Sequence, residues 1–421
     1  MKRVLALALA AILLLSGCTA ALPEGTQTEK TETEKRGNSV GEYIDVKRAE
    51  AALPLTEQGK TGGNDFSVRL FQAALKEADT NALVSPLSAF IALSMAANGA
   101  KDETLSEFES VLGLPLDSLN ETAKALFNNL TMTEGSTELQ IANSVWTDET
   151  CSPEESFLKI MNEGYFAELY VTRLSHSKDA VNAWVSHHTN GLIKELLSEE
   201  PAENTKLLLM NALYFNAKWE QPFADYSTYA QEFTTAEGET VSAEFLHAEL
   251  WGASYLDTDS AEGIVLPYDD TKTVFLALKP KSGTARELAG TLTGNSLSGY
   301  LESAEEADIV ALSLPKFDLE TTLKLETALK AMGLTAAFDP EADFTGISEG
   351  LYLDSVLQKT RIRVDEEGTE AAAVTEVAVV GRGMLNPNPV LLTFNTPFLY
   401  AVVDTQSGMP LFLGILENPN A

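Results

Sequence analysis

Apolar residues change their spacing along this chain, from helical steps near the start to strand-like runs further on. Phe66, Leu70, Phe71 and Leu75 recur at the three- and four-residue steps that share one helical face. Ser85-Pro86 reads as a helix start, Ser as N-cap and Pro in the first turn, feeding Phe90, Leu93, Met95 and Ala97. Leu207 to Phe215 is a near-continuous apolar run, the pattern of a strand covered on both faces. Glu262 to Lys279 holds two apolar runs broken by Pro267-Tyr268-Asp269-Asp270, which predicts a hairpin. Val310 to Phe317 alternates, and Leu323 to Met332 returns to helical spacing with Gly333 as its stop. Val390 to Ile415 predicts two more apolar strands, joined at Asp404-Thr405-Gln406-Ser407-Gly408. The sum is an α+β protein with large antiparallel sheets.

One segment carries two patterns at once. From Thr369 to Val380 every residue is small, β-branched or Glu. A strand's period of two puts Thr369, Ala371, Ala373, Thr375, Val377 and Val379 on one face. Glu370 and Glu376 both fall on the other face, so the first is free of charge and fit for burial in a sheet. Yet the segment ends in Gly381-Arg382-Gly383 and Asn386-Pro387-Asn388-Pro389, the composition of an exposed, cleavable loop.

The amino terminus reads as an address rather than as fold. Lys2 and Arg3 precede the apolar stretch Val4 to Leu15, which falls short of the ~20 residues a membrane-spanning helix needs and reads as a cleaved signal peptide. It ends Leu15-Ser16-Gly17-Cys18, which resembles the bacterial lipobox, in which the cysteine is lipidated and becomes the new N-terminus. An ordinary signal peptide with an incidental cysteine is the competing reading. Residues 1–17 are therefore expected to be a leader, and 18–42 a lipidated Cys18 with a flexible tether rich in Thr, Glu, Lys and Gly. Residues 43–421 form the folded body, long enough to require two domains or one large mixed fold.

Formal charge is −33, which repels nucleic acid and anionic headgroups. Beyond Cys18 the one other thiol is Cys151, so no internal disulfide can form in the body. Four His residues leave few options for metal or acid–base chemistry, and no cofactor is expected.

Ordered motifs along the body identify a family resemblance. Asn81-Ala-Leu-Val-Ser85-Pro86-Leu-Ser88 with Gly99 to Thr104, Asn211 to Phe215 with Lys218-Trp219-Glu220-Gln221-Pro222-Phe223, Leu314-Pro315-Lys316-Phe317, and Phe394-Asn395-Thr396-Pro397-Phe398 to Gly414 together resemble the serpins. The stretch Glu366-Glu367-Gly368-Thr369-Glu370-Ala371-Ala372-Ala373 is similar to the hinge of inhibitory serpins. The resemblance implies one α+β serpin domain of three β-sheets and about nine helices, with an exposed reactive-centre loop at about 366–390. It implies an inhibitor, not an enzyme: a serine protease attacks the loop, an acyl-enzyme forms, and the cut loop inserts into the main sheet before hydrolysis. Counted as in the family from Glu366, the seventeenth residue is Arg382, so the reactive bond is expected at Arg382-Gly383. An arginine there suits the acidic pocket of trypsin-like proteases; Val380 or Met384 would instead suit elastase- or chymotrypsin-like enzymes. The resemblance also assigns Ser85, Ser88, Asn211, Trp219 and Gln358 to the shutter and breach regions that control sheet opening. The expected partners are that protease, held as a covalent acyl complex by a monomer, and a membrane through the anchor at Cys18, at the bacterial cell surface or outside the cell. The alternative is a non-inhibitory serpin-fold binding protein, cut in the loop as a plain substrate.

Two departures from the family pattern change what is expected. Gln358 stands where most serpins carry a His beneath the sheet; Gln can donate and accept but does not titrate. The stretch from Gly383 to Phe394 is also longer than is common, which can shift the bond cut. Among rival motifs, Gly346-Ile347-Ser348-Glu349-Gly350 fits the G-x-S-x-G pattern but lacks the preceding strand and following helix of a nucleophile elbow. His187 and His188 are neighbours on a helix and cannot face one ligand together.

Overall fold

The computed structural model describes residues 7–16, 51–132, 135–369 and 389–421. Nine α-helices lie among them: α1 Glu57–Ala74, α2 Pro86–Ala97, α3 Asp102–Leu112, α4 Leu116–Leu130, α5 Glu155–Tyr165, α6 Lys178–His188, α7 Ala285–Thr291, α8 Ser296–Glu302 and α9 Glu326–Met332. The strands are β1 Leu7–Ser16, β2 Ala82–Val84, β3 Glu138–Asp148, β4 Glu168–Thr172, β5 Thr205–Lys218, β6 Thr228–Thr234, β7 Thr240–Asp257 and β8 Ala261–Pro267. They continue with β9 Thr273–Pro280, β10 Glu305–Pro315, β11 Phe317–Lys324, β12 Tyr352–Val364, β13 Gly368–Thr369, β14 Val390–Thr393, β15 Phe398–Asp404 and β16 Pro410–Leu416.

The main sheet runs β4, β3, β5, then β12 and β11, with β1 and β13 both lying between β5 and β12. These two occupy one lane of the sheet end to end. β13 pairs with Ala217–Lys218 and Val364, whereas β1 spans Thr205–Phe215 and Tyr352–Thr360. Both are antiparallel to each neighbour. The remaining strands form a second hydrogen-bonded sheet, β14-β10-β7-β8-β9-β15-β16-β2, with β6 on β7. The second and third sheets of the expected fold are joined here through the eighteen-residue β7.

Local chemistry accounts for the elements that frame the main sheet. Ser85 is extended (φ −112°, ψ 101°), its side chain accepts from the Ser88 N–H, and Pro86 occupies the first turn of α2. Every residue of α2 is buried, as an all-round apolar helix requires, and it lies against β1, β5 and β16. The Leu207–Phe215 run is buried throughout within β5. The helix expected from Leu323 begins instead at Glu326. Leu323 and Lys324 extend β11, because they continue the antiparallel ladder opposite Gln358 and Leu357. Gly333 ends α9 with φ +109°, a left-handed conformation that favours glycine.

Candidate strand-insertion site

Segment 365–369 leaves the top of β12 and folds straight back into the sheet. The Asp365 N–H donates to the Gly368 carbonyl at 3.1 Å, closing a tight turn. The Trp219 N–H donates to the Glu367 carbonyl at 2.9 Å, and the Phe223 N–H donates to the Glu366 carbonyl at 2.8 Å. Gly368 then faces Lys218, and Thr369 faces both Ala217 and Val364. Thr369 is fully buried. Only glycine fits at 368, since a Cβ there would stand 2.1 Å from the Ala217 carbonyl oxygen and 2.8 Å from Lys218 Cα.

An aromatic block supports this turn from below. Trp219 stacks on Tyr268 with centroids 4.8 Å apart and an 11° interplanar angle, and meets Phe223 and Phe275 edge-on. Its indole N–H donates to the Asp365 carbonyl at 2.9 Å. Tyr268 is hydrogen-bonded through its hydroxyl to Thr369 Oγ1. Burial pushes the Tyr268 hydroxyl well above the usual phenol range, so it remains protonated and able to donate.

Charged groups fix the outer side of the turn. Lys316 Nζ donates to both carboxylate oxygens of Glu366, at 3.0 and 2.9 Å. Burial works to raise the Glu366 carboxyl, but the bonds from Lys316 prevail and hold it below the usual range. Asp365 behaves oppositely. Burial raises its carboxyl, only partly offset by Arg363 Nη2 at 3.1 Å from Oδ2.

Further down, the sheet is held to α2 by neutral groups. Gln358 is fully buried and uses both ends of its amide on one residue: Nε2 donates to the Ser85 carbonyl at 2.9 Å, and Oε1 accepts from the Ser85 N–H at 3.0 Å. Ser88 joins through its N–H to Ser85 Oγ at 3.3 Å. Asn211 belongs to a separate chain, donating to Asn143 Oδ1 at 2.7 Å, with Asn143 Nδ2 donating to the Tyr165 carbonyl at 2.7 Å. Ser88 Oγ, Asn211 Oδ1 and Thr360 Oγ1 are buried with no hydrogen-bond partner among the described residues.

The structure thus gathers Glu366, Glu367, Gly368, Thr369 and Trp219 at the top of the sheet, and Ser85, Ser88 and Gln358 at its centre. Asn211 is bonded apart from the latter group. Glu370, Ala371, Ala372, Ala373, Arg382, Gly383 and Cys18 lie outside the described residues. No local pattern marks Lys316, Asp365, Tyr268 or Asn143 as functional residues. Lys316 and Tyr268 stand inside the Leu314-Pro315-Lys316-Phe317 and Pro267-Tyr268-Asp269-Asp270 stretches, but each acts through a partner 50 or 101 residues away.

The rival motifs find no chemistry here. Ser348 lies in a turn, its N–H bonded to the Phe344 carbonyl at 3.0 Å, and is followed by β12 rather than a helix. His188 pairs with Glu168 at 3.2 Å, and Trp184 Nε1 donates to the same carboxylate at 2.9 Å, tying α6 to β4. No group of metal-ligating side chains occurs among the described residues.

Comparison with known proteins agrees with this architecture. The serpin (serine protease inhibitor) family model matches residues 61–419. A serpin-like protein of Thermococcus kodakarensis is 30% identical over 433 residues, covering 100% of this chain and 99% of its own. Intracellular coagulation inhibitor 2 of Tachypleus tridentatus is 29% identical, covering 85% and 90%. Among solved structures, the thermophilic serpin tengpin in its native state superposes with a TM-score of 0.80 at 32% identity, covering 89% of this chain and 97% of tengpin. Human thyroxine-binding globulin superposes with a TM-score of 0.77 at 25% identity, covering 86% and 98%.

Proposed function

The chain belongs to the serpin family, and from that premise we propose that it inhibits a trypsin-like serine protease as a suicide substrate. The protease serine Oγ attacks the Arg382 carbonyl carbon and an ester bond forms. The Arg382–Gly383 amide breaks, and the freed Gly383 amine carries away the proton. The cut segment then enters the main sheet between β5 and β12, carrying the ester-linked protease with it before water completes hydrolysis. One observation carries this reading: Gly368 and Thr369 are already seated in that lane, with Thr369 buried. The face that follows in the sequence, Ala371 to Val379, holds no charge to oppose burial.

In this reading Cys18 carries the lipid, residues 18–42 span from the membrane to the body, and the inhibitor works as a monomer outside the cytoplasm. An anchor of two or more acyl chains holds stably where a single chain does not. The longer stretch after Arg382 makes Val380 and Met384 the next bonds to examine. The second reading, a binding protein cut as a plain substrate, is favoured by the structural likeness to thyroxine-binding globulin.

Mixing the exported, leader-processed protein with trypsin separates the two. The inhibitor reading expects a covalent complex that survives boiling in detergent, and an ester-linked residue identified as Arg382 by mass spectrometry. Loop cleavage without any complex would sink it in favour of the second reading.

A further inference from the structure

The lane between β5 and β12 does not stop at Thr369. Below it, β1 fills the lane for ten residues, hydrogen-bonded along both edges. Its register is the one the loop would need. Thr369 faces Ala217 on one side and Val364 on the other. Four residues further along each neighbour lie Leu213 and Thr360, and these two are the partners of Leu9. A loop continuing down the lane from Thr369 would bring Ala373 to the same pair. Leu7, opposite Phe215, stands where Ala371 would stand. Strand direction matches as well, since β1 and β13 are both antiparallel to β5 and to β12. The two segments therefore exclude each other.

Chemistry favours the occupant. Leu7–Ser16 reads L-A-L-A-A-I-L-L-L-S, with no charge on either face. The competing loop stretch carries Glu370 and Glu376 and is confined to the orientation that keeps both out of the core. β1 also ends at Ser16, two residues before Cys18, so a cut in front of Cys18 leaves the whole strand on the discarded side.

We propose that the leader is a plug: with residues 7–16 in the β5–β12 lane, the unprocessed chain cannot insert its loop and behaves as a plain substrate. A chain that loses its leader before the body folds has an open lane and is armed, so that trapping is confined to protein that has left the cytoplasm. This rests on the insertion reading above. The device needs no ligand, because the blocking strand and the blocked strand belong to one chain.

Two measurements on the full chain, made by cell-free synthesis with the leader retained, test the plug. Hydrogen exchange monitored by mass spectrometry should show the amides of residues 7–16 slowed by at least about 100-fold relative to unstructured chain; exchange at the unprotected rate overturns the proposal whatever the inhibition result. The second compares the wild-type full chain with its Leu9→Pro/Ile12→Pro variant, which removes one ladder N–H on each edge of β1. Against trypsin the wild-type full chain should yield less than about a tenth of the covalent complex given by the variant. Equal complex from both overturns the plug. Absence of complex from the leader-processed protein instead overturns the inhibitor reading, and the exchange measurement still decides whether the lane is filled.

Discussion

The main sheet is held at two places by different chemistry, and the contrast bears on how it opens. At the top, around Gly368 and Thr369, titratable groups do the holding: Glu366 with Lys316, Asp365 with Arg363, and Tyr268 with Thr369. At the centre, Gln358 closes on Ser85 and Asn211 on Asn143 through neutral amides alone. Two neighbouring hydroxyls there, Ser88 Oγ and Thr360 Oγ1, are buried without partners among the described residues. Proton uptake at Glu366 therefore weakens the top while uptake at Asp365 opposes it, whereas no group at the centre takes up a proton. A strand entering from Thr369 meets the pH-sensitive end first.

The largest effect expected at the top is that of Gly368→Val, which pushes a side chain into the Ala217 carbonyl and forces β13 out of the lane. Stability should fall by about 3 kcal/mol, read as a lower urea midpoint. An unchanged midpoint would show that β13 is not seated in solution. At the centre, Gln358→Leu leaves the Ser85 N–H unpaired in the core, at a cost of about 1–3 kcal/mol. That cost should stay constant between pH 4 and pH 8, because neither partner titrates. A loss that varies with pH would break the contrast.

Substitution of Glu366 by Gln should cost about 1–2 kcal/mol at pH 7 for a pair that is partly buried. Its folded carboxyl is held low, so the contribution is present above the unfolded value of about 4.3 and is lost as pH falls through the folded one. The difference between wild type and variant should accordingly shrink on acidification. Asp365→Asn should act with the opposite sign and give the smallest effect. The Asp365 carboxyl is raised, so the stability linked to its protonated form is present below about 3.9 and lost as pH rises through the folded value. The Asn variant should match wild type near pH 3 and exceed it slightly at pH 7. Urea titrations of both variants at several pH values measure the two slopes together; slopes of the same sign would refute the assignment.

Much of this frame was legible in the residues. The Ser85-Pro86 cap, the buried run within β5 and the Pro267–Asp270 hairpin all follow from local spacing and turn chemistry. Other features depend on partners remote in sequence. Lys316 reaches Glu366 across 50 residues, and Tyr268 reaches Thr369 across 101; no local pattern marks either. Leu323 and Lys324 joined β11 because a neighbouring ladder was available, which overrode helical spacing. Leu7–Ser16 has no apolar-polar alternation, and its flanks, Lys2-Arg3 before it and Gly17-Cys18 after it, read as a leader. Its place in the lane depends on the open edges of β5 and β12.

The central claim is that the loop enters the β5–β12 lane from Thr369 with its charge-free face inward. Thr369→Arg tests it most directly, because it puts a cation at a fully buried position of that face. With leader-processed protein and trypsin, resolved on a denaturing gel, the variant should be cut at Arg382 at an undiminished rate and form no covalent complex. Complex formation equal to wild type would contradict the account.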